Sequence, residues 1–188
     1  MPGSGLHPRP GSTESLKQHF AEVDTSWNTL YYPSRKGETV QELHNRIDTF
    51  TTTFVPAVIQ RLPLEKHRRL LLVTHAATTI ALIHSFLGDR DMYIKVGCCS
   101  LSELERKTIE EGVSDKQVIG AWKPLSLASG DHLQGGSSRE WGFEDIEVEK
   151  GRVSVLFYTS HTPPVISSPK HYLGRRRSWC PRNGKRPR

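Results

Sequence analysis

The chain has 188 residues, which is enough for one domain with a buried hydrophobic core. Its apolar content of 35% is low, as expected of an incomplete domain with irregular ends. It contains no signal-like N-terminus and no uninterrupted apolar run of about 18 residues, the length that crosses a bilayer. We therefore expect an intracellular protein, nuclear or cytoplasmic, with no membrane contact.

The net charge of +6 comes from the C-terminal end of the chain. Residues 170–188 hold eight of the 26 basic side chains and none of the 20 acidic ones, so residues 1–169 have a net charge of −2. Such a segment cannot bury enough apolar surface to offset its ordering entropy. We predict a domain over residues 1–160 and a basic, disordered tail over residues 161–188. The tail is unselected sequence, a solvated linker, or an arm for nuclear import or weak nucleic-acid contact.

The first two predicted helices lie in the N-terminal third of the chain. Residues 1–37 are rich in Pro, Gly and Ser and are predicted to be mostly loop, with a short helix near residues 12–20. A second helix is predicted over residues 40–61, with a break near Pro56 or Pro63. Its apolar residues recur at spacings of three and four and form one face: Val40, Leu43, Ile47, Phe50 and Phe54.

The most informative segment is a run of apolar residues with branched side chains, followed by a histidine and a second apolar stretch. Residues 70–74 are predicted to be a buried strand that ends at His75, and residues 78–87 an apolar helix closed by Gly88. In α/β proteins a strand end that faces a helix N-terminus binds phosphate, because free amides and the helix dipole attract an anion. His75 is therefore interpreted either as a phosphate-facing side chain or as a residue that only caps a strand.

Short strands are predicted in the rest of the chain. Residues 97–107 alternate in part and are predicted to pair with an edge strand over residues 118–122. Residues 126–138 are predicted to form a Gly- and Ser-rich loop, and residues 152–159 a last short strand. The three cysteines show no metal-ligand spacing, so neither a disulfide, nor a metal site, nor any cofactor is expected.

The order of these features resembles the histidine phosphatase superfamily, also called phosphoglycerate mutase-like. The shared order is a Gly-Glu-Thr triplet at residues 37–39, a helix that contains Arg46, a strand, Thr74-His75, two small residues and another helix. Longer strings resemble the fungal branch of this superfamily, which includes the phosphatase-like subunit of the RNA polymerase III factor TFIIIC. These strings occupy residues 5–12, 16–20, 24–27, 32–39, 129–136 and 139–145.

The resemblance implies an α/β fold with three layers, in which helices flank a mostly parallel sheet. This phosphoglycerate mutase-like fold is expected to be incomplete here and to lack its first strand. His75 matches the second active-site histidine of the family, which stabilises charge on a phosphate. Arg46, Arg35 and Glu38 are expected to contribute to phosphate binding.

The catalytic triplet of the family, Arg-His-Gly, does not occur in the 188 residues. In the family that histidine attacks phosphorus, and the covalent mechanism requires it. Histidines elsewhere in the chain do not follow an apolar strand and cannot replace it: His19, His44, His67 and His84.

We therefore expect a catalytically inactive phosphatase-like domain, whose partners are TFIIIC subunits and a phosphorylated ligand. One alternative is an active histidine phosphatase, a phosphomonoester hydrolase, if the chain is a fragment of a longer product that carries Arg-His-Gly. Another is a fragment with no function of its own. Loss of a central strand would expose unpaired amides, so we expect marginal stability or the need for a partner strand.

Overall fold

The computed structural model describes residue 6, residue 9 and residues 11–63, 67–149 and 152–155, with side chains described as far as Ile146. The predicted basic tail, residues 161–188, lies outside the described residues, as does the end of the strand predicted over residues 152–159. The regular elements of the described residues are three α-helices, three two-stranded antiparallel pairs and two short 3₁₀-helices, Ile109–Glu111 and Phe143–Asp145. Within the described residues, every helix is too short or too polar to cross a bilayer.

The helices form where the sequence predicts them. Helix α1 spans Thr13–Lys17 and helix α2 spans Val40–Arg61. Helix α2 begins at a capping box, in which the Thr39 side chain accepts from the Glu42 N–H and the Glu42 side chain accepts from the Thr39 N–H. It continues through Pro56 and ends just before Pro63, because a residue that precedes proline avoids the helical conformation.

Helix α3 spans Ala76–Leu87 and is the most deeply buried element. Seven consecutive residues, 80–86, are buried, as the apolar composition of the helix requires. The helix ends at Gly88, whose φ of 73° lies in the left-handed region. A side chain at this position would meet the Cα atom of Gly120 at 2.8 Å, so the close approach also requires glycine.

The prediction of a buried strand over residues 70–74 is wrong for this structure. These residues are unpaired, and the side chains of Leu71 and Val73 are 72% and 87% exposed. A strand needs a neighbour to satisfy its N–H and C=O groups, and the described residues supply none to this segment. Consequently, His75 follows an unpaired segment instead of a strand end. The described pairs are all antiparallel, and the predicted mostly parallel sheet stays a prediction.

The strands after helix α3 differ from the prediction in their bounds. Strand β1 spans Val96–Cys98 and β2 spans Leu101–Arg106; Cys99, with a φ of 58°, interrupts the single strand predicted over residues 97–107. Strand β2 pairs with β3, Trp122–Ser129, and β1 pairs with β4, Ser138–Trp141. Both ends of the loop predicted over residues 126–138 are therefore strand, and residues 130–137 between them form the loop. The last pair joins β5, Ile146–Glu149, to β6, Arg152–Val155.

Residues 118–122 do not form the predicted edge strand. The chain turns at Gly120, where φ is 72°, and the Gly120 N–H donates to the Ser85 carbonyl at 3.0 Å. The segment therefore packs against the end of helix α3, with Val118 and Ala121 buried. The partner of β2 begins only at Trp122.

The hydrophobic core lies between helices α2 and α3 and the start of strand β3. Helix α2 contributes residues spaced by four, which lie on one face, and helix α3 contributes its central turns. The Phe86 ring meets the Trp122 ring edge-on with centroids 5.2 Å apart, which joins the helices to strand β3. The buried core cluster consists of Leu43, Ile47, Val55, Ala81, Leu82, Phe86 and Val118.

Candidate functional site

His75, the main candidate from the sequence, occupies the N-cap position of helix α3. Its carbonyl accepts from the Thr79 N–H at 2.9 Å and from the Thr79 hydroxyl at 3.1 Å. Its side chain is exposed and makes no capping hydrogen bond. The imidazole therefore lies beside the N-terminus of α3, and the interpretation of His75 as a phosphate-facing side chain stays a prediction.

Arg46 and Glu38, two candidate phosphate ligands, bind each other. The Arg46 Nε donates to both oxygens of the Glu38 carboxylate, at 2.7 and 2.9 Å, and each side chain is 16% exposed. Glu38 precedes the N-cap of helix α2, and Arg46 lies on the second turn of that helix. The pairing neutralises the arginine charge, so a phosphate at Arg46 would compete with a bound carboxylate.

The predicted site residues do not form one cluster of directly bonded groups. Arg35 lies in an exposed turn before Gly37. In the part of the chain that the structure describes, no hydrogen bond or ion pair joins the His75 side chain to Arg46 or Glu38. Nor do those residues include three or more His, Cys, Asp or Glu side chains arranged to hold a metal ion.

A buried pair of histidines was not among the candidates from the sequence. The His44 Nε2 and the His84 Nδ1 lie 3.0 Å apart, in nearly parallel rings. The other ring nitrogens face carbonyl oxygens: His44 Nδ1 faces Val40 at 3.0 Å, and His84 Nε2 faces Met92 at 2.8 Å. Phe143 packs edge-on against His44. A signal existed in the sequence, because both histidines fall on the apolar faces of predicted helices.

Burial lowers the pKa of His84, since an imidazolium loses its hydration inside the protein. The hydrogen bond to the Met92 carbonyl opposes this shift, and so do the nearby charges of Asp89 and Asp91. A second polar contact between the helices joins the Thr51 and Ser85 hydroxyls at 3.0 Å. These two contacts fix how α2 and α3 face each other, because either polar pair would be left unsatisfied if the helices shifted.

Lys95 and Asp145 form an ion pair between the start of strand β1 and the turn before β5. The Lys95 ammonium donates to both carboxylate oxygens at 2.8 and 3.0 Å, and the Gly142 N–H donates to the same carboxylate. The lysine hydrogen bond lowers the pKa of Asp145, and the carboxylate in turn raises the pKa of Lys95. This pair holds the turn in place and is interpreted as structural.

No protein-family model matches the chain. The chain is similar to the transcription factor tau 55 kDa subunit of Saccharomyces cerevisiae, with 31% identity over 160 residues. The aligned part is 73% of this chain and 36% of the yeast protein, so the chain spans about a third of the length of this relative. The predicted relation to a subunit of such a factor is thereby confirmed. Membership of the histidine phosphatase superfamily stays a prediction.

Proposed function

We propose that the chain is a binding subunit of a nuclear assembly related to transcription factor tau, the TFIIIC of yeast. The similarity to the 55 kDa subunit of that factor carries this proposal. In this role the partners are other subunits of the assembly. A basic tail would add a weak, salt-sensitive contact with nucleic-acid phosphates.

We further propose that the domain is phosphatase-like in descent and in its complete fold, and that it binds a phosphorylated ligand without hydrolysing it. The exposed His75 at the N-terminus of helix α3 supports anion binding. Two observations argue against turnover: Arg46 is held by Glu38, and the 188 residues contain no Arg-His-Gly triplet to supply a nucleophile.

The purified chain is expected to release no nitrophenolate from para-nitrophenyl phosphate above the rate in buffer. The reason is that charge stabilisation alone does not replace an attacking group. Absorbance of the product measures the rate directly. The test variant is His75→Ala, and the control is His132→Ala, the same change at another exposed histidine. Turnover that survives in His132→Ala and disappears in His75→Ala would contradict the proposal and support the active histidine phosphatase.

An affinity-tagged chain is expected to co-purify from nuclear extract with the other subunits of the tau-like factor. Mass spectrometry of the purified material identifies those subunits, and a chain that lacks residues 161–188 separates the domain from the tail. The shortened chain should keep the subunits, since we assign their binding to the domain, and should lose salt-sensitive binding to DNA. Recovery of the tagged chain without any of these subunits would contradict the proposed function.

A further inference from the structure

Two adjacent cysteines, Cys98 and Cys99, lie at the centre of the turn between strands β1 and β2. Strand β1 ends at Cys98, and strand β2 begins at Leu101. The Ser100 N–H donates to the Gly97 carbonyl at 3.1 Å, which closes the turn. Both cysteines are exposed and neither is in a disulfide. A reagent in solution therefore has access to two neighbouring thiols on the folded chain.

Cys99 occupies a backbone conformation that suits glycine better than cysteine. Its φ of 58° lies in the left-handed region, at the third position of the turn. Turns with a positive φ at this position favour Gly or Asn, because other side chains are strained there. Strained residues of this kind cluster at functional sites. The turn would form more readily with glycine, so the turn by itself does not account for the cysteine.

The spacing of adjacent residues suits one atom held between two sulfurs. The described residues contain no cis peptide bond, and a trans peptide places neighbouring Cα atoms about 3.8 Å apart. A disulfide usually joins Cα atoms about 4.4–6.8 Å apart, so a direct bond between these two sulfurs would be strained. Around a tetrahedral zinc ion, S–metal bonds of about 2.3 Å separate the sulfurs by about 3.8 Å. A bridging atom of similar size therefore fits where a disulfide does not.

The turn supplies two sulfur ligands, which limits what it can bind. A structural zinc ion takes four protein ligands. The described residues contain no group of three or more His, Cys, Asp or Glu side chains that could hold a metal ion. An organic arsenical in the trivalent state needs only two sulfurs, because its carbon substituent occupies the third position. Thiolates are soft ligands and prefer soft centres of this kind.

We infer that Cys98 and Cys99 form a dithiol site for thiophilic centres that need two protein sulfurs, with trivalent organic arsenicals as the ligand class. The arsenical enters as an oxide and condenses with both thiols. Two As–S bonds form, the As–O bond breaks, and the oxygen leaves as water with the two thiol protons. No atom changes its oxidation state, so the step requires no oxidant or reductant. The inference is independent of the proposed function.

Phenylarsine oxide tests the site on the full 188-residue chain. We expect one phenylarsine group per chain and the loss of two of the three thiols that react with a chromogenic disulfide. Trypsin cleaves after Lys95 and Arg106, so one peptide contains both cysteines, and its mass locates the group. Excess glutathione should leave the adduct in place and dithiothreitol should remove it, because the second As–S bond forms within one molecule.

Three variants assign the two sulfurs. Cys99→Gly removes one thiol and suits the positive φ, so it should keep the fold, which circular dichroism checks. Cys99→Gly and Cys98→Ser should each weaken the binding of phenylarsine oxide about a hundredfold or more, since only one As–S bond remains. The matched control is Cys180→Ser, the loss of a cysteine elsewhere in the chain, which should leave binding unchanged.

Four outcomes would overturn the inference. An adduct that persists in Cys99→Gly, or one that glutathione removes, would be held by a single sulfur. An adduct that disappears in Cys180→Ser would take one of its sulfurs from Cys180. Loss of two thiols without an added phenylarsine group would mean that a disulfide forms in place of the bridged site.

Discussion

Replacing Ile47 with alanine is expected to lower the free energy of unfolding by about 2–5 kcal/mol. Ile47 is 2% exposed and lies in the core cluster between helices α2 and α3. Truncation removes buried methyl and methylene groups and leaves a cavity whose walls lose their packing partners. Because stabilities of single domains are themselves about 5–15 kcal/mol, the loss is a large fraction of the total.

Urea unfolding followed by circular dichroism measures this loss, and Ile59→Ala is the matched control. Ile59 lies on the same helix and is 45% exposed, so the same chemical change there should cost about 0.5 kcal/mol or less. Equal losses in the two variants would mean that helix α2 does not bury the face described here. A tryptophan-fluorescence transition that coincides with the circular dichroism would establish that both variants unfold in one step.

The helices could be predicted from the sequence because their evidence is local. Helix α2 was predicted over residues 40–61, the bounds that the structure gives, from apolar spacing and from Pro63. Helix α3 was predicted to end at Gly88, and it begins two residues earlier than predicted. Spacing, caps and prolines act within a few residues of one another, so a short window of sequence contains them all.

The strands could be predicted much less well, because a strand exists only when a neighbour pairs with it. Residues 70–74 have the composition of a buried strand, yet their pairing depends on residues that no local pattern reveals. Likewise, Gly120 turns the chain against helix α3, and the position of Gly88 that requires this turn is 32 residues away in sequence. The paired region therefore begins at Trp122, later than the pattern indicated.

For the candidate site, too, local features could be predicted from the sequence and contacts between distant residues could not. The position of His75 at the start of a helix followed from local sequence. The ion pair between Glu38 and Arg46 could not be predicted, because each of these residues could have paired with another charged group nearby. His44 and His84 are 40 residues apart in sequence and lie on different helices, so only the packing of those helices reveals their contact.

The burial of His84 against His44 is expected to make the chain less stable as the pH falls from about 7 to about 5.5. Three short contacts involve the four ring nitrogens: one to the Val40 carbonyl, one between the rings, and one to the Met92 carbonyl. Each contact has room for one proton, so the folded pair holds at most three. A fourth would place two N–H groups against each other across the 3.0 Å contact between the rings.

The direction of this pH dependence follows from the number of protons bound by the folded and by the unfolded chain. In the unfolded chain a histidine such as His84 titrates near the ordinary value of about 6.5. Burial lowers the pKa of His84 in the folded state, although Asp89, Asp91 and the Met92 carbonyl oppose the shift. The unfolded state therefore binds more protons, and stability that is present above about pH 6.5 is lost as the pH falls.

One proton excluded from the folded state corresponds to a slope of at most about 1.4 kcal/mol for each pH unit below about 6.5. Urea unfolding at several pH values measures the slope, and the window stops above the range where carboxylates titrate. The double variant His44→Gln/His84→Gln should flatten the slope, whereas His132→Gln, a change at an exposed histidine, should leave it unchanged.

Nitrogen NMR of the histidine rings in the wild-type chain is an independent measurement that requires no substitution. Four protonated ring nitrogens in the folded chain at about pH 5.5 would contradict the mechanism, because the contact between the rings would then have opened.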